Sequence, residues 1–194
     1  MKTLFLTAAA LALFCAGSLQ AAAAPKPAKP APKAEVVFDH PDKFTDVKDD
    51  YFPTDRGRDG ILEQIRSCIV AQAEYLVPDG YRLTMTFTDI DLAGDFEPWR
   101  GAQWASVRIV KAIYPPAFKF SWAVIDPSGK VVREGKEDMR VLEFEMTMTL
   151  DLQDPLRYEK AILEGWMRDN LRDLKKAAGA GVPAGKPAGF VDKL

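Results

Sequence analysis

Apolar residues along this chain fall into runs of two different periods. Ile61, Leu62, Ile65, Cys68, Ile69, Ala73 and Leu76 recur three and four residues apart. That spacing predicts an amphipathic helix from about Arg58 to Val77, stopped by Pro78 and Gly80. Ile162, Leu163, Trp166, Met167 and Leu171 predict a second helix, from Pro155 to about Lys176, with Asp154 as its N-cap. Elsewhere the period is two. Leu83, Met85 and Phe87 alternate with threonines, and Phe118, Phe120, Trp122 and Val124 share one strand face. Glu35 to Phe38 reads as a short first strand and Ser106 to Val110 as a further one. Asp126-Pro127-Ser128-Gly129 has the residues of a type I turn, from which Val131 to Glu134 returns as the partner strand of a hairpin. Leu142, Phe144, Met146, Met148 and Leu150 alternate with Glu143, Glu145, Thr147 and Thr149, which predicts a last strand.

The order β-α-β-(β)-β-β-β-α predicts an α+β fold. Its mostly antiparallel sheet of five or six strands would carry two amphipathic helices on one face. Trp166 is expected to pack on the face formed by Phe118, Phe120, Trp122 and Val124, because each surface can hide the other. In the strand that begins at Leu83 the alternation reverses at Asp89. Asp89 and Asp91 stand where apolar side chains would continue, and a bulge there accounts for the reversal. Residues 93–104 read as a loop.

The chain ends have a different character. Met1-Lys2-Thr3 precedes an uncharged apolar run, Leu4 to Ala16, shorter than the roughly 20 residues of a permanent membrane span. Small residues follow at Ala21–Ala24, and the order is that of a secretory signal peptide over residues 1–23. Residues 24–34 alternate Pro, Lys and Ala and read as an extended spacer. Residues 35–176 form one domain, and 177–194, rich in Ala, Gly and Pro, form a tail.

Composition narrows the chemistry. The chain has 194 residues, 28 acidic and 26 basic, with 47% hydrophobic residues, one histidine and two cysteines. Near-neutral charge gives no reason to expect a nucleic-acid partner. Loss of Cys15 with the signal leaves Cys68 alone, so the domain folds without an internal disulfide. His40 lies in a loop before Pro41, Cys68 falls on the apolar stripe of its helix, and no serine sits in a nucleophile elbow. The concentrated polar feature is Thr88-Asp89-Ile90-Asp91-Leu92-Ala93-Gly94-Asp95-Phe96-Glu97-Pro98-Trp99-Arg100. Four carboxylates in nine residues suit a hard cation, but Ala93 and Arg100 break the spacing of an EF-hand. They also suit backbone capping at a bulge, with Arg100 or Arg108 as an ion-pair partner. Trp99 and Trp104 follow at once, either as a platform for a sugar or peptide or as a lid on the sheet. Asp89, Asp91, Asp95, Glu97, Trp99, Arg100 and Trp104 are therefore the candidate binding residues, with no catalytic, cofactor or metal assignment.

Several stretches are familiar together. They are Val37-Phe38, Pro41 to Asp46, Thr88 to Arg100, Val107-Arg108-Ile109, Tyr114-Pro115-Pro116 and Asp154 to Lys160. With these the chain resembles a bacterial exported family known as a domain of unknown function, numbered three-zero-one-six. It departs from that pattern most at Asp138 to Asp151. The resemblance implies a secreted or periplasmic single-domain protein and carries no activity, cofactor or catalytic residue across. The resulting expectation is an exported cell-envelope protein, periplasmic or extracellular, acting as a non-enzymatic binding module. Its partner would be an envelope protein or glycan, and no integral membrane segment would remain after processing. A carboxylate-dependent hydrolase or metal-dependent enzyme using Asp89–Glu97 is the alternative.

Overall fold

The computed structural model of the chain describes residues 31–149 and 151–180. The expected signal peptide, most of the spacer, Leu150 and residues 181–194 of the tail lie outside them. The strands are β1 (Ala34–Phe38), β2 (Arg82–Asp91), β3 (Asp95–Phe96), β4 (Arg108–Ile109), β5 (Ala117–Ile125) and β6 (Val131–Arg140). The helices are α1 (Asp55–Leu76), α2 (Arg157–Leu171) and α3 (Leu174–Ala180). No helix among the described residues is long and apolar enough to cross a membrane.

The fold is α+β. Its main sheet has four strands in the order β1-β2-β5-β6, and β3 and β4 pair separately as a two-stranded ribbon. β1 runs parallel to β2, which the 22-residue α1 between them permits, while β2–β5 and β5–β6 are antiparallel. Thr54 starts α1 by accepting a hydrogen bond from the Gly57 N–H at 3.0 Å, three residues ahead of the expected start. Leu62, Ile65, Ile69 and Ala73 of α1, with Leu163, Trp166, Met167 and Leu171 of α2, cover one face of the sheet. Leu83, Met85 and Phe87 of β2 and Phe118, Phe120, Trp122 and Val124 of β5 meet them. The Trp166 ring stands edge-on to Phe120 and Trp122, with centroids 4.9 and 5.2 Å away, as the phases of helix and strand require.

β6 is longer than its sequence pattern suggests. Its inward positions are Arg133, Gly135, Glu137 and Met139, so apolar alternation is missing. Each polar residue there has a partner instead. The Trp122 indole lies over Gly135, where a Cβ would meet Nε1 at 2.8 Å, and Nε1 donates to Glu137 at 3.0 Å. Arg133, 5% exposed, donates to Asp173 at 2.9 and 3.0 Å and to the Asn170 carbonyl. That carbonyl lies at the end of α2, where backbone acceptors lack helical partners. The expected single helix to Lys176 is accordingly two, broken at Arg172–Asp173 around this guanidinium.

Two other expectations are corrected. Leu142 to Thr149 is not a strand. It makes a turn and a single 3₁₀ turn, Phe144–Met146. Only Phe144 is buried, against Tyr158 at 5.1 Å, and Met148 is 91% exposed. Alternation without a neighbouring strand, and with Leu and Met rather than Val or Ile at the apolar positions, did not suffice. Asp154 does not cap α2 directly. Its Oδ1 accepts from the Leu156 N–H at 2.8 Å and its Oδ2 from Lys160 at 2.6 Å, and the helix begins at Arg157.

Candidate functional site

Pairing of β2 with β5 shifts register between Phe87 and Asp89. Before the shift Leu83, Met85 and Phe87 face the core; after it Ile90 and Leu92 do. The extra residue turns Asp89 toward the segment after β1. Both its carboxylate oxygens accept from Thr45, one from the N–H at 2.8 Å and one from the hydroxyl at 2.9 Å. Two backbone bonds continue the attachment: the Asp46 N–H donates to Ile90 O at 3.0 Å, and the Leu92 N–H donates to Asp46 O at 3.1 Å.

Beyond Leu92 the chain builds a small lobe. Gly94 has φ +80°, and a Cβ there would lie 2.7 Å from Ile109 O, so glycine is needed for the β3–β4 ribbon to close. Arg108, on β4, anchors this lobe. It donates to Asp46 at 2.7 and 3.2 Å, to Gly94 O at 2.8 Å and to Lys48 O at 3.0 Å, with its guanidinium over the Phe96 ring. α2 contributes from the other side. Glu159, 1% exposed, accepts from the Ala93 N–H at 2.7 Å, and its other oxygen has no partner among the described residues. Burial pushes this carboxyl above the usual range, against the pull of the Ala93 N–H.

The remaining acids diverge. Asp91 meets Arg140 at 3.1 Å, and burial raises its carboxyl despite that neighbour. Asp95 accepts from the adjacent Phe96 N–H at 2.7 Å. Glu97, 3% exposed, is wrapped by the lobe's own side chains. It accepts from Lys111 at 2.5 Å and from the Tyr114 hydroxyl at 3.0 Å, with Arg100 at 3.5 Å. Lys111, foremost, holds this carboxyl below its ordinary range. Burial, with Glu97 next to it, raises the Tyr114 hydroxyl. Asp91 and Asp95 share a cleft of about 260 Å³ with Asp46, Lys48, Tyr114 and Arg140. Asp89 and Glu97 are not among its walls. No three His, Cys, Asp or Glu side chains among the described residues are grouped to hold a metal ion.

The aromatic candidates face outward. Trp99 is 71% exposed on a 3₁₀ turn, Pro98–Arg100, and Trp104 is 40% exposed with Arg100 over its ring at 5.6 Å. The lid reading of these two rings does not fit that exposure. Tyr51 and Phe52, also exposed, belong to a neighbouring segment. Ser106, foremost, with the Phe52 N–H lowers the Asp50 carboxyl there. Cys68 and His40 have unrelated surroundings. The thiol lies 3.4 Å from Glu164 between α1 and α2, pushed up to about 12 chiefly by burial, whereas exposed His40 has Asp39 at 3.6 Å.

Sequence reasoning located the acids and tryptophans but missed Thr45, Asp46, Lys111, Arg140 and Glu159. Their pairings span 14 to 66 positions, and no local pattern announces them. The stretches behind the family resemblance are the ones that meet at this end of the molecule: Asp46 with Arg108, Ala93 with Glu159, and Gly94 with the Tyr114 carbonyl at 3.0 Å. No curated protein and no solved structure matches the chain. The family model described as Protein of unknown function (DUF3016) matches residues 32–169, and the chain belongs to that family.

Proposed function

We propose that this chain is an exported, non-enzymatic interaction module of the cell envelope, and that the lobe from Leu92 to Tyr114 is its contact surface. The observation that carries the reading is Trp99. A tryptophan 71% exposed to water stands on a turn held at its base by the Glu97–Lys111–Tyr114 cluster. Large exposed aromatics on ordered backbone favour binding because little conformational entropy is lost when a partner covers them. Export rests on the charged start, the short apolar run and the small residues of positions 1–24. The partner is an envelope protein or a glycan.

A carboxylate-dependent hydrolase is the second reading. Its support is that Asp91 and Asp95 line one cleft and that burial favours the protonated form of Asp91. Against it, Asp89 and Glu97 do not line that cleft and are already engaged, by Thr45 and by Lys111 with Tyr114.

Capture from envelope extract with the full chain tests the proposal. The Trp99→Ala variant should melt as wild type does and lose the captured partner, while Asp91→Asn should keep it. Retention of every partner by Trp99→Ala would remove the lobe from consideration. Cell fractionation and N-terminal sequencing test export separately, and a chain starting at Met1 in the cytoplasm would refute it.

A further inference from the structure

The two open edges of the main sheet are built differently. β6, at one end, carries Arg133, Glu134, Lys136, Glu137, Asp138 and Arg140 among its ten residues. Charges along an edge discourage another strand from adding there. β1, at the other end, reads Ala-Glu-Val-Val-Phe and has one charge. Among the described residues no strand pairs with its outer side.

The backbone shows which groups are free. The Leu83 N–H donates to Lys33 O at 2.8 Å and the Asp39 N–H donates to Phe87 O at 2.9 Å. In a parallel ladder alternate residues face the neighbour, so Lys33, Glu35, Val37 and Asp39 turn toward β2. Ala34, Val36 and Phe38 turn their N–H and C=O groups outward. One of those six groups has a described partner: Val36 O, approached by Arg66 Nε of α1 at 3.4 Å. Unpaired backbone of this kind is normally satisfied by water or by another chain.

Beside this edge the gap between β1 and α1 opens into two depressions. One, about 410 Å³, has Ala34, Val36, Val70 and Arg82 in its walls. The other, about 530 Å³, has Val36, Phe38, Pro41, Leu62 and Glu63. Arg66 belongs to both, with its guanidinium over the Phe38 ring at 5.0 Å. Glu35 also lines the first and Val37 the second, and Ala31 and Pro32 border the first. Ala34, Val36 and Phe38 succeed one another along one strand face, so the depressions follow one another at about the 7 Å repeat of alternate strand residues.

We propose that β1 and α1 form a β-augmentation site for an extended segment of a partner protein. The segment adds as a fifth strand and places apolar side chains two residues apart in the two depressions. Backbone pairing supplies affinity and the depressions supply selectivity. A second copy is disfavoured as occupant. Two five-residue edges laid side by side give a contact of about 17 Å, on the order of 700 Å² in total, short of the about 1,200 Å² of a stable interface. The chain's own Pro25, Pro27, Pro30 and Pro32 lack the N–H groups that pairing needs. This surface is separate from the Leu92–Tyr114 lobe, and its failure would leave that reading standing.

The test titrates the full chain into a fluorescein-labelled heptapeptide, Lys-Val-Thr-Val-Thr-Val-Lys, followed by anisotropy. A second peptide of the same sequence carries N-methyl groups on the residues that would pair with β1. Saturable binding of the first, with roughly tenfold or greater weakening for the second, is expected. Ala34→Pro deletes an outward donor at the first residue of the strand, where proline is tolerated. Val70→Lys puts a charge in one depression from α1, where Val70 is half-buried at the margin of the core. Both should weaken binding by roughly tenfold, with melting curves near wild type. Equal binding of the N-methylated peptide, or no loss in Val70→Lys, would overturn the proposal. So would concentration-dependent dimerisation abolished by Ala34→Pro, which would assign the edge to a second copy.

Discussion

The body of the molecule and its lobe are held by different forces. Around Trp166 the contacts are apolar: edge-on rings of Phe120 and Trp122, then Met85, Phe87 and Leu163 packed to near-zero exposure. The lobe from Leu92 to Tyr114 has short strands of two residues each. It is fixed by charged side chains gripping backbone: Arg108 on Gly94 and Lys48, Asp89 on Thr45, Glu159 on Ala93. Apolar packing is indifferent to pH and nearly so to salt. Charge-assisted grips fix direction more sharply but depend on protonation. A surface that presents Trp99 in one orientation is thereby obtained from a segment too small for a core of its own.

Breaking the body should be costliest. Trp166→Ala is expected to lower stability by about 3–5 kcal/mol, as for other large aromatics lost from a core, measured by urea denaturation. An effect below about 1 kcal/mol would mean that the aromatic cluster is not a keystone of the core. Arg108→Ala strikes the lobe's main anchor. It leaves the mostly buried Asp46 carboxylate with only the more distant Lys48 ammonium at 3.8 Å, and about 2–3 kcal/mol is expected, below the range for fully buried pairs because both side chains keep some exposure. Amide exchange should then accelerate at Gly94 and Leu92 while Phe87 stays protected. Uniform acceleration would erase the distinction between the two regions.

The two buried acids that hold the lobe, Glu97 within it and Glu159 on α2, sharpen the comparison in opposite senses. Glu159 binds its proton more tightly in the folded state, so stability falls as pH rises from the ordinary glutamate value toward the raised one. Glu97 binds its proton less tightly. Its contribution is present above the ordinary value and is lost as pH falls through the lowered one. Glu159→Gln keeps an acceptor for the Ala93 N–H and removes the titration. Melting temperatures from about pH 4 to about pH 8 should decline less with pH than in wild type. An unchanged slope would show that Glu159 does not titrate differently on unfolding. The smallest effect on stability belongs to Trp99→Ala, about 0.5 kcal/mol or less by thermal melting, since the ring touches little of the fold. A larger loss would make Trp99 part of the lobe's scaffold.

The two regions also differed in how far they could be read from sequence. α1, β2, β5 and the Asp126–Gly129 turn follow from periodicity and turn chemistry, because an apolar face must repeat with its element. The turn closes with the Gly129 N–H on Asp126 O at 3.0 Å. β6 was half hidden, because Arg133, Gly135 and Glu137 replace apolar residues and are satisfied by Asp173 and Trp122. Leu142 to Leu150 misled for the converse reason: it alternates, yet Leu142, Met146 and Met148 face solvent. In the lobe the bulge at Asp89 was legible as a broken phase, and the acids as a cluster. Their divergence was not, since it is decided by Thr45, Arg140, Lys111 and Tyr114, which lie far along the chain from the acids they meet.

The parallel pairing of β1 with β2 sets the order in which this sheet assembles. Val36 pairs with Met85 only after α1 and the intervening chain have been looped back, whereas Ile125 and Val131 are joined by a tight turn. Loop closure over some fifty residues costs more entropy than closure over five, and non-local pairings form late. The antiparallel β2–β5–β6 meander therefore nucleates first, with β2 as its temporary border. In pulse-labelled exchange the Val37 N–H should gain protection after that of Ser121, and simultaneous protection would contradict this order. β2 carries Met85, Phe87 and Ile90, so the youngest form of the sheet leaves these apolar side chains on its border strand, and the last strand to arrive is the one that shields that border.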